Sequence, residues 1–188
     1  RNLPFSNDRK RAVYYSGRHQ VRLLDLDTFK STLLLEDELW GFNDSLPRFS
    51  PDDRFLAFTA YRNFEQDILI YDFTAKKTVN ITSSGVTETQ PFWSPDGRFL
   101  FFCADRLRPR FPRGRNDPDL YRLPLLPGVT HFRSREYHKL FQPGDPQKAA
   151  GTKKKKKPVQ VRIDFKDLRH RWEPLSPVIG RQENPIVI

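Results

Sequence analysis

Short runs of aromatic and branched residues alternate with polar turn residues along most of the chain, and they predict short β-strands. The predicted strands fall into three successive groups: residues 12–15, 21–26 and 31–35; residues 55–59, 68–71 and 78–82; and residues 99–104 and 119–125. The middle runs of each group are almost continuously apolar instead of alternating, so we expect both faces of each sheet to be covered by neighbours.

In the third group, a tight turn joins a preceding strand, which ends at Trp93, to the strand over residues 99–104. In Ser94-Pro95-Asp96-Gly97, proline pre-sets φ and glycine accepts a positive φ at the fourth position. The same corner, Ser50-Pro51-Asp52-Asp53, stands 44 residues upstream, and a degraded copy, Ser6-Asn7-Asp8-Arg9, stands 44 residues before that. A fixed period of this length, with strand signals inside each unit, is typical of propellers and similar arrays.

Four short strands per unit, joined by hairpins, are the composition of a propeller blade. The sequence therefore predicts an all-β fold: a partial β-propeller of about three four-stranded antiparallel blades, then a linker and the start of a second β-propeller. The predicted boundaries are 1–142 for the last blades of the first propeller, 143–158 for a linker rich in Pro, Gly and Lys, and 159–188 for the first strands of the second. The last assignment rests on a period-2 alternation, read as a half-buried strand, of Val159, Val161, Ile163 and Phe165.

The chain has no methionine and begins at Arg1, and three blades cannot close a ring. We therefore expect an internal fragment of a longer protein. Neither a secretory signal nor an apolar run of membrane-spanning length is present, and the expected compartment is the cytoplasm, with any N-terminal signal lying upstream. The single cysteine, Cys103, is predicted to be a small buried hydrophobe, and its isolation fits a reducing compartment.

Two basic stretches carry an excess equal to the whole net charge of +10. One is a Pro-rich hairpin insertion, in which arginine forks could contact an anion or a peptide carboxylate: Arg106, Arg108, Arg110, Arg113 and Arg115. The other interpretation of this insertion is a solvated loop. The second stretch, Lys153 to Lys157, is interpreted as a solvated tether, with contact to nucleic acid or an acidic membrane as the alternative.

The sequence motifs of common active sites are missing: Gly-x-Ser-x-Gly, Gly-x-Gly-x-x-Gly, the phosphate loop and His-Glu-x-x-His. The histidines have no cysteine partners at metal-binding spacing: His19, His131, His138 and His170. No catalytic, cofactor-binding or metal-binding residue is therefore predicted, and no cofactor. Acids at strand ends are predicted to cap turns instead: Asp25, Asp27, Asp67, Asp72 and Asp119.

The corner followed by Arg-Phe-Leu, with residues 68–72 and 80–82 between its copies, resembles the PD40 (WD40-like) blade repeat of TolB-type and tricorn-type propellers. The Gly-His and Trp-Asp marks of ordinary WD40 repeats are absent, and the first corner departs from the repeat at Asn7 and Arg9. The long insertion after Asp105, and the lysine run before residues 158–165, are similar to the passage from the first to the second propeller in the tricorn protease family.

This resemblance implies a non-catalytic portion of a large serine peptidase, a hydrolase that degrades peptides, with the propeller serving as substrate channel and scaffold. The catalytic residues would lie outside this chain, and the chain alone would be inactive. The implied partners are peptide substrates, the remaining blades and C-terminal catalytic region of the same protein, and further copies in a homo-oligomer, without nucleic acid or membrane. The alternatives are a TolB-like protein-binding module, the propeller of a prolyl-oligopeptidase-type enzyme, and nucleic-acid binding through the basic loops.

Overall fold

The protein is described by a computed structural model over residues 3–39, 46–62, 65–105, 119–128 and 158–175. In these ranges the chain forms antiparallel sheets and a single short 3-10 helix, Leu168–Arg171. The strands of the first sheet are β1 (Arg11–Ser16), β2 (Gln20–Asp25) and β3 (Ser31–Glu36). Those of the second sheet are β4 (Arg48–Phe49), β5 (Phe55–Arg62), β6 (Glu65–Asp72) and β7 (Lys77–Asn80).

The third sheet contains β8 (Glu88–Trp93), β9 (Phe99–Ala104), β10 (Asp119–Pro124) and β11 (Glu173–Pro174). Its strand order is β11-β10-β9-β8, and that of the second sheet is β4-β5-β6-β7, so each sheet is a meander like a propeller blade. The all-β class and the partial propeller predicted from the sequence are confirmed.

All three corners adopt the same geometry. The serine hydroxyl accepts the backbone N–H five residues on and donates to the aspartate two residues on, with 2.9 Å from Phe55 N to Ser50 Oγ and 2.6 Å from Ser50 Oγ to Asp52 Oδ1. The first corner repeats these contacts through Ser6 and the third through Ser94. The degraded first copy therefore folds as a corner in spite of its sequence, because the serine and the aspartate that make these bonds are retained.

The second sheet is covered on both faces, as its apolar runs predict. On one face, Leu56, Phe58 and Leu69 pack into a cluster with Val13 and Val21 of the first sheet. On the other face the second and third sheets share a larger cluster, with members that include Phe55, Ile68, Ile70, Leu100, Phe102 and Leu123. The sheets are thus stacked in chain order, and each contributes to the core of its neighbour.

The strand predicted over residues 159–165 is wrong: residues 158–166 belong to no strand. Their backbone groups bond to turns of the neighbouring sheets instead. Val161 N donates to Asp52 Oδ2 at 2.8 Å, and Asp164 N donates to the carbonyl of Leu125 at 2.9 Å. Residues 173–174 do pair, but with β10 of the third sheet. The division of the chain into two propellers and a linker stays a prediction.

Candidate binding cleft beside the first corner

A cleft of about 380 Å³ opens between the stretch before β1 and the stretch that leads into β4. Six of its eight lining residues are apolar, but polar atoms make up most of the surface that faces the cleft: Leu3, Pro4, Phe5, Asn7, Leu46, Pro47, Arg48 and Phe49. Since the strand that precedes each corner is the inner strand of its blade, the cleft lies at the inner edge of the first two sheets.

The cleft lies where, among the described residues, the first blade has no full inner strand. Where the other sheets have β4 and β8, the first has a single bridge between Phe5 and Ala12. Phe5 and Trp93 occupy the same position in the repeat, yet Phe5 is 54% exposed and Trp93 is 7% exposed. Leu3, which is 37% exposed, extends the same apolar surface. An exposed pair of large apolar side chains beside a cleft marks a candidate contact site.

Beside the cleft, hydrogen bonds join the first two corners. Asp53 Oδ1 accepts both the backbone N–H and the side-chain amide of Asn7, each at 2.7 Å, and Asp53 Oδ2 accepts the N–H of Asp8 at 2.9 Å. The Asn7 amide also donates to the carbonyl of Ser50 at 2.8 Å. The other corners have proline at the position of Asn7, and proline has no N–H to donate. Asn7, which stands where the other corners have proline, therefore joins the first two blades.

Positive charge borders the cleft. Arg48 is exposed on its wall and forms no ion pair with another described residue. Arg11 lies behind it, with its guanidinium carbon 4.9 Å from the centre of the Phe73 ring and 5.7 Å from that of Phe49. At the corner, the hydroxyl of Ser6 and the backbone N–H of Lys10 hold the pKa of Asp8 below its ordinary value. This arrangement suits a polar, negatively charged group that also has an apolar part, and none of the lining residues is a general acid or base.

The anion site predicted from the sequence lies outside the described residues, since Arg106, Arg108, Arg110, Arg113 and Arg115 all fall there. The cleft was not predicted. Its signal in the sequence was the degraded first copy of the repeat, because a missing inner strand exposes the aromatic position before the corner. Nothing in the sequence marks Leu46 and Arg48 as residues of the cleft wall, because their place there depends on how two blades meet.

The prediction that strand-end acids cap turns is confirmed for two of them. Asp25 Oδ1 accepts the N–H groups of Asp27 and Thr28, and Asp72 Oδ1 accepts those of Thr74 and Ala75. Asp67 differs, because its carboxylate bonds the side chains of Asn80 at 2.7 Å and Thr82 at 3.4 Å. It joins β6 to the end of β7, and a buried network of this kind fixes the pairing of the strands.

Cys103 is 1% exposed, which confirms its prediction as a small buried residue. Within the described ranges, no three or more His, Cys, Asp or Glu side chains lie close enough to hold a metal ion. The part of the chain that the structure describes likewise has no helix of the length and hydropathy needed to cross a membrane.

Solved structures with the same fold identify the class: the chain is a partial β-propeller of the kind found in TolB and in tricorn protease. The tricorn protease crystal structure superposes over 96% of this chain with a TM-score of 0.66 at 18% identity. TolB from Acinetobacter baumannii covers 69% of the chain with a TM-score of 0.55 at 25% identity. A putative TolB from Agrobacterium tumefaciens covers 65% with a TM-score of 0.52 at 19% identity.

This chain spans only part of those proteins: 30% of the Acinetobacter TolB, 17% of the tricorn protease chain and 44% of the Agrobacterium protein. No protein-family model and no curated protein sequence matches the chain, so the similarity rests on structure.

Proposed function

We propose that the chain is a non-catalytic propeller portion of a tricorn-like serine peptidase that degrades peptides, and that it serves as substrate channel and scaffold. The observation that carries this proposal is the extent of the superposition. Tricorn protease matches 96% of the chain, whereas the TolB structures match 65–69%. Residues 3–128 contain every strand except β11 and make up about two thirds of the sequence. A match over 96% of the chain must therefore extend beyond residue 128.

The partners of such a protein would be peptides, the other blades and a C-terminal catalytic region, in a cytoplasmic homo-oligomer. The cleft fits the role of a channel wall, because its polar surface with Arg48 and its apolar side chains suit a peptide with acidic and apolar groups. None of the residues named above would perform the chemistry.

The coding sequence beyond Ile188, and the protein expressed from it, test the proposal. We expect a downstream region with serine-peptidase activity that is abolished when its nucleophile is replaced by alanine. We also expect the 188-residue chain alone to hydrolyse no peptide above the blank. A reading frame that ends once the ring is complete would contradict the peptidase assignment, and so would peptide hydrolysis by the isolated chain.

A TolB-like protein-binding module is the second candidate, favoured by the higher identity of 25% to the Acinetobacter TolB. It predicts a gene without any catalytic region. A downstream Gly-x-Ser-x-Gly would instead indicate a prolyl-oligopeptidase-type enzyme.

A further inference from the structure

Val161 contacts the corners of two blades at once. Its N–H donates to Asp52 Oδ2 of the second corner at 2.8 Å, and its side chain is completely buried. Its methyl group covers Gly97 of the third corner so closely that a Cβ added there would lie 2.8 Å from Val161 Cγ2 and 3.0 Å from Val159 Cγ1. Contacts between carbon atoms that are this short do not occur, so a glycine is required at position 97 while Val161 is in place.

The residues that follow Val161 are anchored to the third sheet. The guanidinium of Arg171 donates to three backbone carbonyls, those of Pro124, Asp164 and Lys166. The ring of Trp172 lies edge-on to Phe102, with 4.9 Å between the ring centroids. Five N–H donors make arginine suited to joining several carbonyls, so this contact ties the segment both to itself and to the end of β10.

The segment ends as the outer strand of the third blade. Tyr121 pairs with Pro174 and Arg122 pairs with Glu173, and an ion pair between Arg122 and Glu173 reinforces the ladder. β11 lies beside β10 as β7 lies beside β6, and in the second blade a short hairpin joins the equivalent strands. The connection from β10 to β11 therefore begins and ends within a single sheet.

We propose that residues 158–175 are a latch of the third blade. They supply its fourth strand and fasten it to the second blade at the two corners. The lysine run would then stand in sequence between two strands of one blade, in contrast to the linker between two propellers that the sequence predicts. Residues of the chain's own segment thus lie between the corners of the second and third blades. The inference does not depend on the peptidase assignment.

Cleavage of the chain between β10 and β11 tests whether residues 158–175 are a latch. A recognition sequence for a site-specific protease, inserted after Lys155 in the full chain, allows the chain to be cleaved there without denaturant. If residues 158–175 are a latch, the C-terminal fragment stays bound and elutes with the blades in native size-exclusion chromatography. Separation of the fragment directly after cleavage would overturn the inference, because a linker and the start of another domain have no reason to remain.

Two glycines provide a matched pair of variants. Gly97 and Gly17 both have a left-handed φ, +69° and +64°, so alanine at either position strains the backbone similarly. A Cβ at Gly97 meets the two valines, whereas nothing lies within 4 Å of a Cβ at Gly17. We expect G97A to raise the dissociation rate of the cleaved fragment at least about tenfold and G17A to leave that rate unchanged. Equal rates for the two variants would overturn the latch.

Val161→Ala provides a third variant in case G97A does not fold. It removes two methyl groups from the latch and changes neither corner, and it should also release the cleaved fragment faster. In combination with G97A it should slow release relative to G97A alone, because the shorter of the two close contacts, the one with Val161 Cγ2, is relieved. Failure of V161A to speed release would contradict the inference independently of the glycine variants.

Discussion

At the scale of single residues, the fourth position of each corner shows how one backbone conformation is used for different purposes at different corners. Arg9, Asp53 and Gly97 have φ of 57°, 58° and 69°, in the left-handed region that costs a non-glycine residue about 1 kcal/mol. Asp53 offsets this cost by binding the first corner, and Gly97 leaves room for Val161. The sequence predicts the positive φ from the turn motif. It cannot predict these contacts, since their partners are distant along the chain.

The carboxyl of Asp72 makes stability depend on pH. Burial would raise its pKa, but the N–H groups of Ala75 and Thr74 and the guanidinium of Arg54 outweigh burial and lower it below the ordinary 3.8. A lowered pKa in the folded state adds stability above the ordinary value, and this stability is lost as pH falls below about 4 toward the folded pKa. We therefore expect the free energy of unfolding to decrease from about pH 5 downward.

The Asp72→Asn variant isolates this contribution, because asparagine keeps an oxygen for the two N–H groups but cannot ionise. In urea unfolding at a series of pH values, its free energy of unfolding should be lower than that of the parent at neutral pH and should fall less in acid. Asp27→Asn is the matched control, because the exposed Asp27 carboxylate accepts no hydrogen bond within the described ranges. Parallel pH curves for D72N and the parent chain would contradict the expectation.

At the scale of the elements, the aromatic residue before the third corner joins its blade to the preceding blade. The Trp93 ring stacks on Phe55 with 6.2 Å between the ring centroids, and its indole N–H donates to the carbonyl of Arg48 at 3.0 Å. Both Phe55 and Arg48 belong to the second blade, so this side chain holds the second and third sheets together. Phe5 occupies the same repeat position in the first blade but is 54% exposed.

Truncation at these two equivalent positions should have very different effects. We expect Trp93→Ala to lower the free energy of unfolding by about 3–5 kcal/mol, since it leaves a cavity and an unpaired carbonyl between two sheets. Phe5→Ala should change it by less than about 0.5 kcal/mol, because most of that ring is already in water. Chemical denaturation monitored by circular dichroism measures both changes. A loss at Phe5 as large as that at Trp93 would show that the first blade is packed differently.

Some of the strands can be predicted from the sequence, and other features of the fold cannot. Period and corner chemistry predict β5, β6 and β9, because each of these strands is specified by local turn residues and a continuous apolar run. The alternation of Val159 with Val161 predicts a strand that does not form, because these residues bond to turns of other blades. The cleft escapes prediction for a related reason, since its walls come from two repeats and its shape depends on how those repeats meet.

At the scale of the whole molecule, the blades are stacked in sequence order, and each sheet packs against its neighbours in the sequence. The second sheet is covered on both faces, and seven of the eight residues of β6 are buried. In β2, the equivalent strand of the first sheet, Val21 alone is buried. In arrays of this kind, stability follows from the interfaces that each repeat makes with its neighbours. The first blade has fewer such interfaces among the described residues, so it should open more readily.

Hydrogen exchange followed strand by strand tests this gradient in the native protein. β2 and β6 are suitable for comparison, because each lies between two hydrogen-bonded strands of its own sheet and they differ in how their faces are covered. We expect the amides of β6 to exchange at least about tenfold more slowly than those of β2, because opening the second sheet must expose two clusters of apolar side chains. The edge strands β3 and β7 serve as the control for fraying, since both should exchange faster than the central strands. Equal protection of β2 and β6 would mean that the three sheets unfold as one cooperative unit. It would contradict the expectation that the first blade opens more readily than the second.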